Sequence, residues 1–361
     1  MGNNNITENK PKICIILGAG ASFDVHGQGS VIKDGAWRPP LAKDIFDIQA
    51  HHNYFEILQL YPGAAHLAQL LSPKIASGKI GLEDALKSFA FHQDVRIRNN
   101  FKQIPAYIRD LIHISSTFTQ IPSSYVQLTT ELLANNPHNV LFLTLNYDML
   151  LETALELLDS KYQFSEIARY ISFYNMKLIK LHGSENWFST IPHSSIPEIN
   201  RNNWIKTISQ VDPLVKTREK HIFIGNNIGN VIHATQRINE EICDLYPILT
   251  APLAGKNIND SVCPKSHLDA AREFLKDCNK FLIIGCSGLD DDLIHLLNSS
   301  INPDIKPILN IVGSSHVEAV FNRFRKEIKV FNELNQDGAI IGSGFSSYLQ
   351  SEGFKIFSLA K

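Results

Sequence analysis

The sequence predicts an α/β fold: a mostly parallel sheet with helices on both faces, carrying a helical insertion and a second insertion of mixed structure. Three observations point there. Short apolar runs rich in β-branched residues recur along the chain, each bounded by turn formers. Several are preceded or followed by segments of helical periodicity, which is the alternation a parallel sheet requires. Two long stretches interrupt the rhythm, and 361 residues suffice for about two ordinary domains or one large α/β unit with insertions.

Taken in order, KICIILGAGAS places a buried strand at Ile13 to Leu17, then a Gly18-Ala19-Gly20 turn and a helix start. Residues 54 to 135 carry only helical patterns, such as YFEILQLY, LEDALKSFAF and YIRDLIHI. Strands follow in NVLFLTLNYD (139 to 148), with the helical MLLETALELL behind it, and in KLIKLHG (177 to 183). Residues 184 to 264 are richer in Pro, Asn and Ser and predict one strand at HIFIG (221 to 225) and a helix near 231 to 245. HLDAAREFLKDC reads as a helix before the strand KFLIIGCSG (280 to 288), after which PILNIVGSS (307 to 315) and a weaker IKVF (328 to 331) read as strands. SGFSSYLQSEGF reads as a terminal helix. The expected domain of Rossmann-like type comprises residues 1–53, 136–183 and 265–361, with 54–135 the helical insertion and 184–264 the mixed one.

Composition narrows the function classes. With 44% hydrophobic and 19% charged residues the chain is an ordinary globular protein, neither fibrous nor disordered. A net charge of -2 gives no global field to gather nucleic acid or an anionic membrane, so direct binding of either is not expected. No run nears the ~18 apolar residues of a membrane span, and the polar start MGNNNITENK predicts a frayed tail and a cytoplasmic protein. Ile6 stands where a myristoylation signal needs Ser or Thr. The five cysteines are scattered without a C-x-x-C pair, which predicts reduced thiols and no metal. The nearest approach to a zinc set, Cys243, Cys263, His267 and Cys278, lacks paired spacing.

A strand, a Gly-rich turn and a helix start together aim backbone N–H groups and a helix dipole at one point, where a pyrophosphate can sit. LGAGAS has this form. The dinucleotide fingerprint nevertheless fails, because Phe23 stands where the third Gly belongs and no acidic residue ends a second strand about 20 residues on. A tight turn without ligand remains an alternative. LTLNYD and KLHGSENW set Asn146, Asp148 and His182 at the carboxyl edge of the expected sheet, where open α/β sheets bind ligands. A helix cap and a core histidine are the alternatives for each alone; together with the glycine turn they point to a site.

GAGAS, LTLNYD, LHG and IGCSGLDDDL, in this order, resemble the sirtuin superfamily, whose members bind NAD and cleave its nicotinamide-ribose bond. More closely, the chain is similar to the bacterial sirtuin-like NAD hydrolases of anti-phage defence, which share the LGAGAS start, a Pro-Pro-Leu element (here RPPLAKDIF, Arg38 to Phe46) and an LHG element followed by an aromatic. The resemblance implies that the backbone at Gly18, Ala19, Gly20 and Ala21, with Ser22, holds the pyrophosphate. It implies that Asn146 positions the ribose and a water, that Asp148 binds the nicotinamide carboxamide and that His182 is the base. It sets Gly285, Cys286, Ser287 and Asp290 on the phosphate and adenosine side and Asn310 at the adenosine ribose.

The departures matter equally. Sirtuin deacylases carry a four-Cys zinc module between the H-G pair and the next sheet strand; only Cys243, Cys263 and Cys278 stand between His182 and Gly285, too few to build it. The G-I-P-D-F-R loop is also missing, which leaves Arg38 and Asp44 without assigned roles. Water is therefore the expected acceptor, with NAD as substrate and no metal. Deacylation, ADP-ribosyl transfer and a non-catalytic NAD or ADP-ribose sensor are the competing readings. A toxic activity needs control by assembly, and the apolar stripes of the helical patterns in 54 to 135 predict a contact surface, so a homo-oligomer is expected, against which a compact lid weighs nearly equally; the resemblance implies a HerA-type ATPase or an Argonaute-like partner.

Overall fold

The computed structural model describes residues 12–25, 38–47, 52–77, 82–90, 92–135, 139–200, 203–210, 222–226, 228–249, 262–334 and 340–358. The expected amino-terminal tail and most of the loop between Gly27 and Pro40 lie outside them. The strands are β1 (Lys12–Leu17), β2 (Val140–Thr144), β3 (Met176–Lys180), β4 (Gly183–Pro192), β5 (Phe223–Ile224), β6 (Thr235–Ile238), β7 (Glu241–Leu249), β8 (Cys278–Ile284), β9 (Ile308–Val312) and β10 (Ile340–Ile341). Six form one sheet in the order β10-β9-β8-β1-β2-β3, with every pairing parallel. The chain builds outward from β1 to β3 and then returns to the other side of β1, so the order reverses between β1 and β8. Ligands of open α/β sheets sit at such a switch point, beyond the carboxyl ends of its strands.

Burial on both faces explains why these strands read as continuous apolar runs. Ile13, Ile15 and Leu17 face one side with Phe142, Leu178 and Leu282, under the helices Ser123–Asn135, Leu150–Leu158, Phe345–Leu349 and Glu352–Ser358. Cys14, Ile16, Leu141, Ile179 and Ile283 face the other, under Lys265–Leu275, Asp291–Ser300 and Val317–Glu327.

The two insertions share one further core. Helices His52–Gln59, Pro62–Ala76, Leu82–Ala90, Val95–Phe101 and Ile104–Thr117 bury Ile57, Leu71, Leu86 and Leu111 together with Phe188, Leu245 and Leu249 of a four-stranded antiparallel sheet, β5-β4-β7-β6. The helix Ser123–Asn135, grouped with the insertion on its sequence pattern, instead lays Tyr125, Leu128 and Leu132 on the parallel sheet.

Three expectations need correction. The helix near 231 to 245 is a short 3-10 turn, Val231–His233, followed by the β6–β7 hairpin, whose two-residue turn puts Asn239 and Glu240 at φ +50° and +67°. The seven residues of β7 from Cys243 on are buried on both faces, which erases the period-two pattern that marks a half-buried strand. IKVF is likewise a 3-10 turn, Lys329–Phe331, whose Ile328 and Phe331 are buried at i,i+3 with the Phe331 ring 5.3 Å from that of Phe281. The sheet's edge strand is Ile340–Ile341, too short to carry any periodicity. The terminal helix is divided at Gln350 and Ser351.

Candidate active site

At the switch point the loops after β1 and β8 are pressed together. Gly18 N–H donates to Ile284 O at 2.9 Å and Gly20 N–H to Gly285 O at 3.0 Å. A Cβ on Gly18 would stand 2.7 Å from Gly285 O and 2.8 Å from the Cα and Sγ of Cys286, and one on Gly20 2.8 Å from Gly285 Cα. Gly285 itself has φ +63°. The glycines of LGAG are thus required by backbone meeting backbone. Ala21 N–H bonds Gly18 O at 2.9 Å, so three of the four amides that the resemblance assigns to a pyrophosphate already have partners within the protein.

Asn146 follows β2 and turns back over this junction. Its Nδ2 donates to Gly18 O at 3.0 Å, to Ser22 Oγ at 2.9 Å and to Tyr125 OH at 3.3 Å. A main-chain carbonyl only accepts, so the contact with Gly18 O settles which end of the carboxamide is nitrogen and turns Oδ1 the other way. Ser22 Oγ lies 2.9 Å from Tyr125 OH and also bonds the Asp148 side chain. Asp148 in addition accepts from Leu150 N–H at 3.1 Å, at the start of the helix Leu150–Leu158. Burial pushes the Asp148 carboxyl up, against the charge of Lys180 and the bonds from Ser22 and Leu150.

His182 follows β3 and is only 2% exposed. The next residue, Gly183, has φ +81°, and a Cβ there would stand 2.0 Å from Ile248 O, so the H-G pair is demanded by the approach of β7. His182 Nε2 lies 2.6 Å from Asp290 Oδ2, while Asp290 Oδ1 accepts from Leu293 N–H at 2.7 Å and caps the helix Asp291–Ser300. The Asp290 carboxylate, expected beside phosphate or adenosine, is therefore engaged by His182 and a helix start.

Cys286 packs its thiol under Gly18, and burial, followed by the charge of Asp290, pushes that thiol up. Ser287 Oγ accepts from Leu289 N–H at 3.3 Å, and its carbonyl accepts from Arg323. Gly18 to Ser22, Asn146, Asp148, His182 and 285–290 thus form a linked set at the carboxyl edge. Asn310 stands apart, two residues short of the end of β9, with its Nδ2 donating to Tyr348 OH at 2.8 Å beneath the terminal helices.

Sequence reasoning missed the residues that support this set. Lys180, fully buried at the end of β3, donates to Glu152 Oε1 at 2.9 Å and to the Asp148 carbonyl. Burial pushes the Glu152 carboxyl up, with Lys180 opposing. Glu185 sets Oε2 3.4 Å from His113 Nδ1 and donates its N–H to Tyr147 O at 2.8 Å. The one signal was a lysine inside the apolar run KLIKLHG; nothing in SSYVQLTTELLA marks Tyr125. Of the four residues nearest to a zinc set, His267 bonds Ile167 O at 2.9 Å and the Cys278 thiol bonds backbone carbonyls. Among the described residues no group of three or more His, Cys, Asp or Glu is disposed to hold a metal ion.

No family model matches the chain, and no curated protein matches it. Among solved structures, the chain is similar to one described as a structural basis for the mechanism and regulation of Sir2 enzymes, at 13% identity and a TM-score of 0.42 over 96% of this chain and 93% of that one. It is similar to Sir2Tm bound to a propionylated peptide at 12% identity and a TM-score of 0.41, over 95% and 92% of the two chains. A Sir2 homologue in complex with NAD gives 15% identity and a TM-score of 0.38 over 88% and 90%.

Proposed function

We propose that the protein hydrolyses NAD at the bond between nicotinamide and ribose. The observation that supports this most is the bonded network joining the Gly18–Ser22 turn to Asn146 and Asp148 at the switch point, where Gly20 N–H also bonds Gly285 O in the loop that brings Asp290 to His182. In this reading the bond from C1′ to the pyridinium nitrogen breaks, its electron pair leaves on neutral nicotinamide, and positive charge builds on the ribose. Little acid catalysis is needed; oriented dipoles and a base for the acceptor are. Asn146, with Nδ2 tethered to Gly18 and Ser22, presents Oδ1 to a ribose hydroxyl or the water. Asp148 accepts from the carboxamide. The water oxygen bonds C1′ as His182 takes its proton, giving nicotinamide, ADP-ribose and one proton to solvent.

The biological role follows from the resemblance of the four motifs: depletion of NAD in anti-phage defence, by a cytoplasmic homo-oligomer working with a HerA-type ATPase or an Argonaute-like partner. Phe55, Leu70, Val95, Phe118 and Ile121 on the first insertion are exposed and supply apolar contact surface. YFEILQLY and YIRDLIHI turn most of their apolar residues inward, burying Tyr54, Ile57 and Leu58 in one and Tyr107, Ile108 and Leu111 in the other, which narrows that surface. Light scattering after size exclusion tests assembly: a fully active monomer of about the 40.5 kDa chain mass contradicts it. Calorimetry with NAD, followed by chromatography of the products, tests the chemistry. Free ADP-ribose supports hydrolysis; acyl transfer, ADP-ribosyl transfer or binding without turnover supports a competing reading.

A further inference from the structure

We infer that Asp290 is the positioning residue of His182: it fixes the tautomer in which Nδ1, and not Nε2, accepts a proton. Capping a helix takes one carboxylate oxygen, and Oδ1 does so with Leu293 N–H at 2.7 Å. The second oxygen, Oδ2, is separately directed at His182 Nε2 at 2.6 Å, and the imidazole is 2% exposed. A carboxylate can only accept, so in a neutral imidazole the proton stands on Nε2 and the lone pair on Nδ1. The partners come from opposite flanks of the sheet, His182 from the end of β3 and Asp290 from the loop after β8, with β1 and β2 between them. This hydrogen bond ties the ring of His182 to the loop after β8. Its consequence for turnover rests on the hydrolase reading; the tautomer itself does not.

Asp290→Asn separates this role from capping. Asn caps helices as well as Asp does, so Leu293 N–H keeps its acceptor. The amide NH₂ then takes the place of Oδ2 and donates to Nε2, which forces the proton onto Nδ1 and removes the lone pair there. The test is ¹⁵N NMR of ¹⁵N-histidine-labelled protein at pH 8, with His182 identified by the signals lost in His182→Ala, alongside NAD turnover. The expected result is Nε2–H in wild type and Nδ1–H in Asp290→Asn, with melting temperature and KM little changed and kcat lowered by roughly 10² to 10⁴ fold. An unchanged tautomer in the variant, an imidazolium in wild type at pH 8, or unchanged kcat where wild type cleaves NAD overturns the inference. Wild type that cleaves no NAD defeats the hydrolase reading while the NMR still decides the tautomer. If the Asn variant does not fold, Asp290→Ser, which also caps but carries no carboxylate to reach Nε2, is expected to lose the fixed Nε2–H state.

Discussion

At the scale of single residues, the site is held by polar groups whose value depends on burial. Asp148 shows this in its titration. Its carboxyl is pushed above the ordinary value of about 3.9 mainly by burial. Below that value both folded and unfolded chains carry the proton; as pH rises the unfolded chain releases it first, so stability falls until the folded pKa is passed. Asp148→Asn mimics the protonated form at every pH. The melting temperature of wild type relative to Asp148→Asn is therefore expected to be highest near pH 4 and to decline as pH climbs, measured by calorimetry in steps to pH 8. A difference that stays flat or grows would contradict the assignment. Asn146, Asp148 and His182 were legible in the sequence as residues of the sheet's carboxyl edge because each stands just beyond an apolar run. Tyr125 was not, since its hydroxyl acquires meaning only when helix Ser123–Asn135 brings it to Ser22 and Asn146.

At the scale of elements, strands covered on both faces are the easiest to read when helices flank them and the hardest when they do not. β1, β2, β3, β8 and β9 were recognisable as short apolar runs bounded by turns, whereas β7, equally buried, lies beside a hairpin turn and mimicked a helix. The β1 and β8 turns offer a sharper test of how elements make the site. Gly18→Ala places a methyl 2.7 to 2.8 Å from the backbone of 285–286 and the Cys286 sulfur. Overpacking of this kind costs about 1–3 kcal/mol. Loss of that size in denaturant unfolding, together with loss of NAD binding, is expected; an unperturbed Gly18→Ala protein that still binds NAD would show that the tight junction is not part of the site.

At the scale of the whole molecule, two insertions separate in sequence fold as one layer. Arg109 shows how the first is tied to the second. Wholly buried, it donates from Nε to the carbonyl of Glu185, three residues beyond His182, at 2.9 Å, and from its terminal nitrogens to Ile228 O at 2.7 Å, Gly229 O at 2.6 Å and Asp110 Oδ1 at 3.1 Å. Arg109→Leu leaves these acceptors buried without their donor, and removing one partner of a buried pair costs about 3–5 kcal/mol. Chemical denaturation followed by circular dichroism should show that loss; a change under about 1 kcal/mol would mean water or neighbours replace the guanidinium. The union of the insertions was illegible because nothing local to either records the partner that covers its apolar face.

The central claim, that Asn146 and His182 cleave the nicotinamide-ribose bond of NAD, is tested most directly by nicotinamide release from purified wild type, Asn146→Ala and His182→Ala, matched in melting temperature. Rapid release by wild type and a fall of roughly 10² to 10⁴ fold in each variant is the predicted result. Equal release by a folded His182→Ala protein, or NAD left intact by wild type with the proposed partner proteins added, would contradict it.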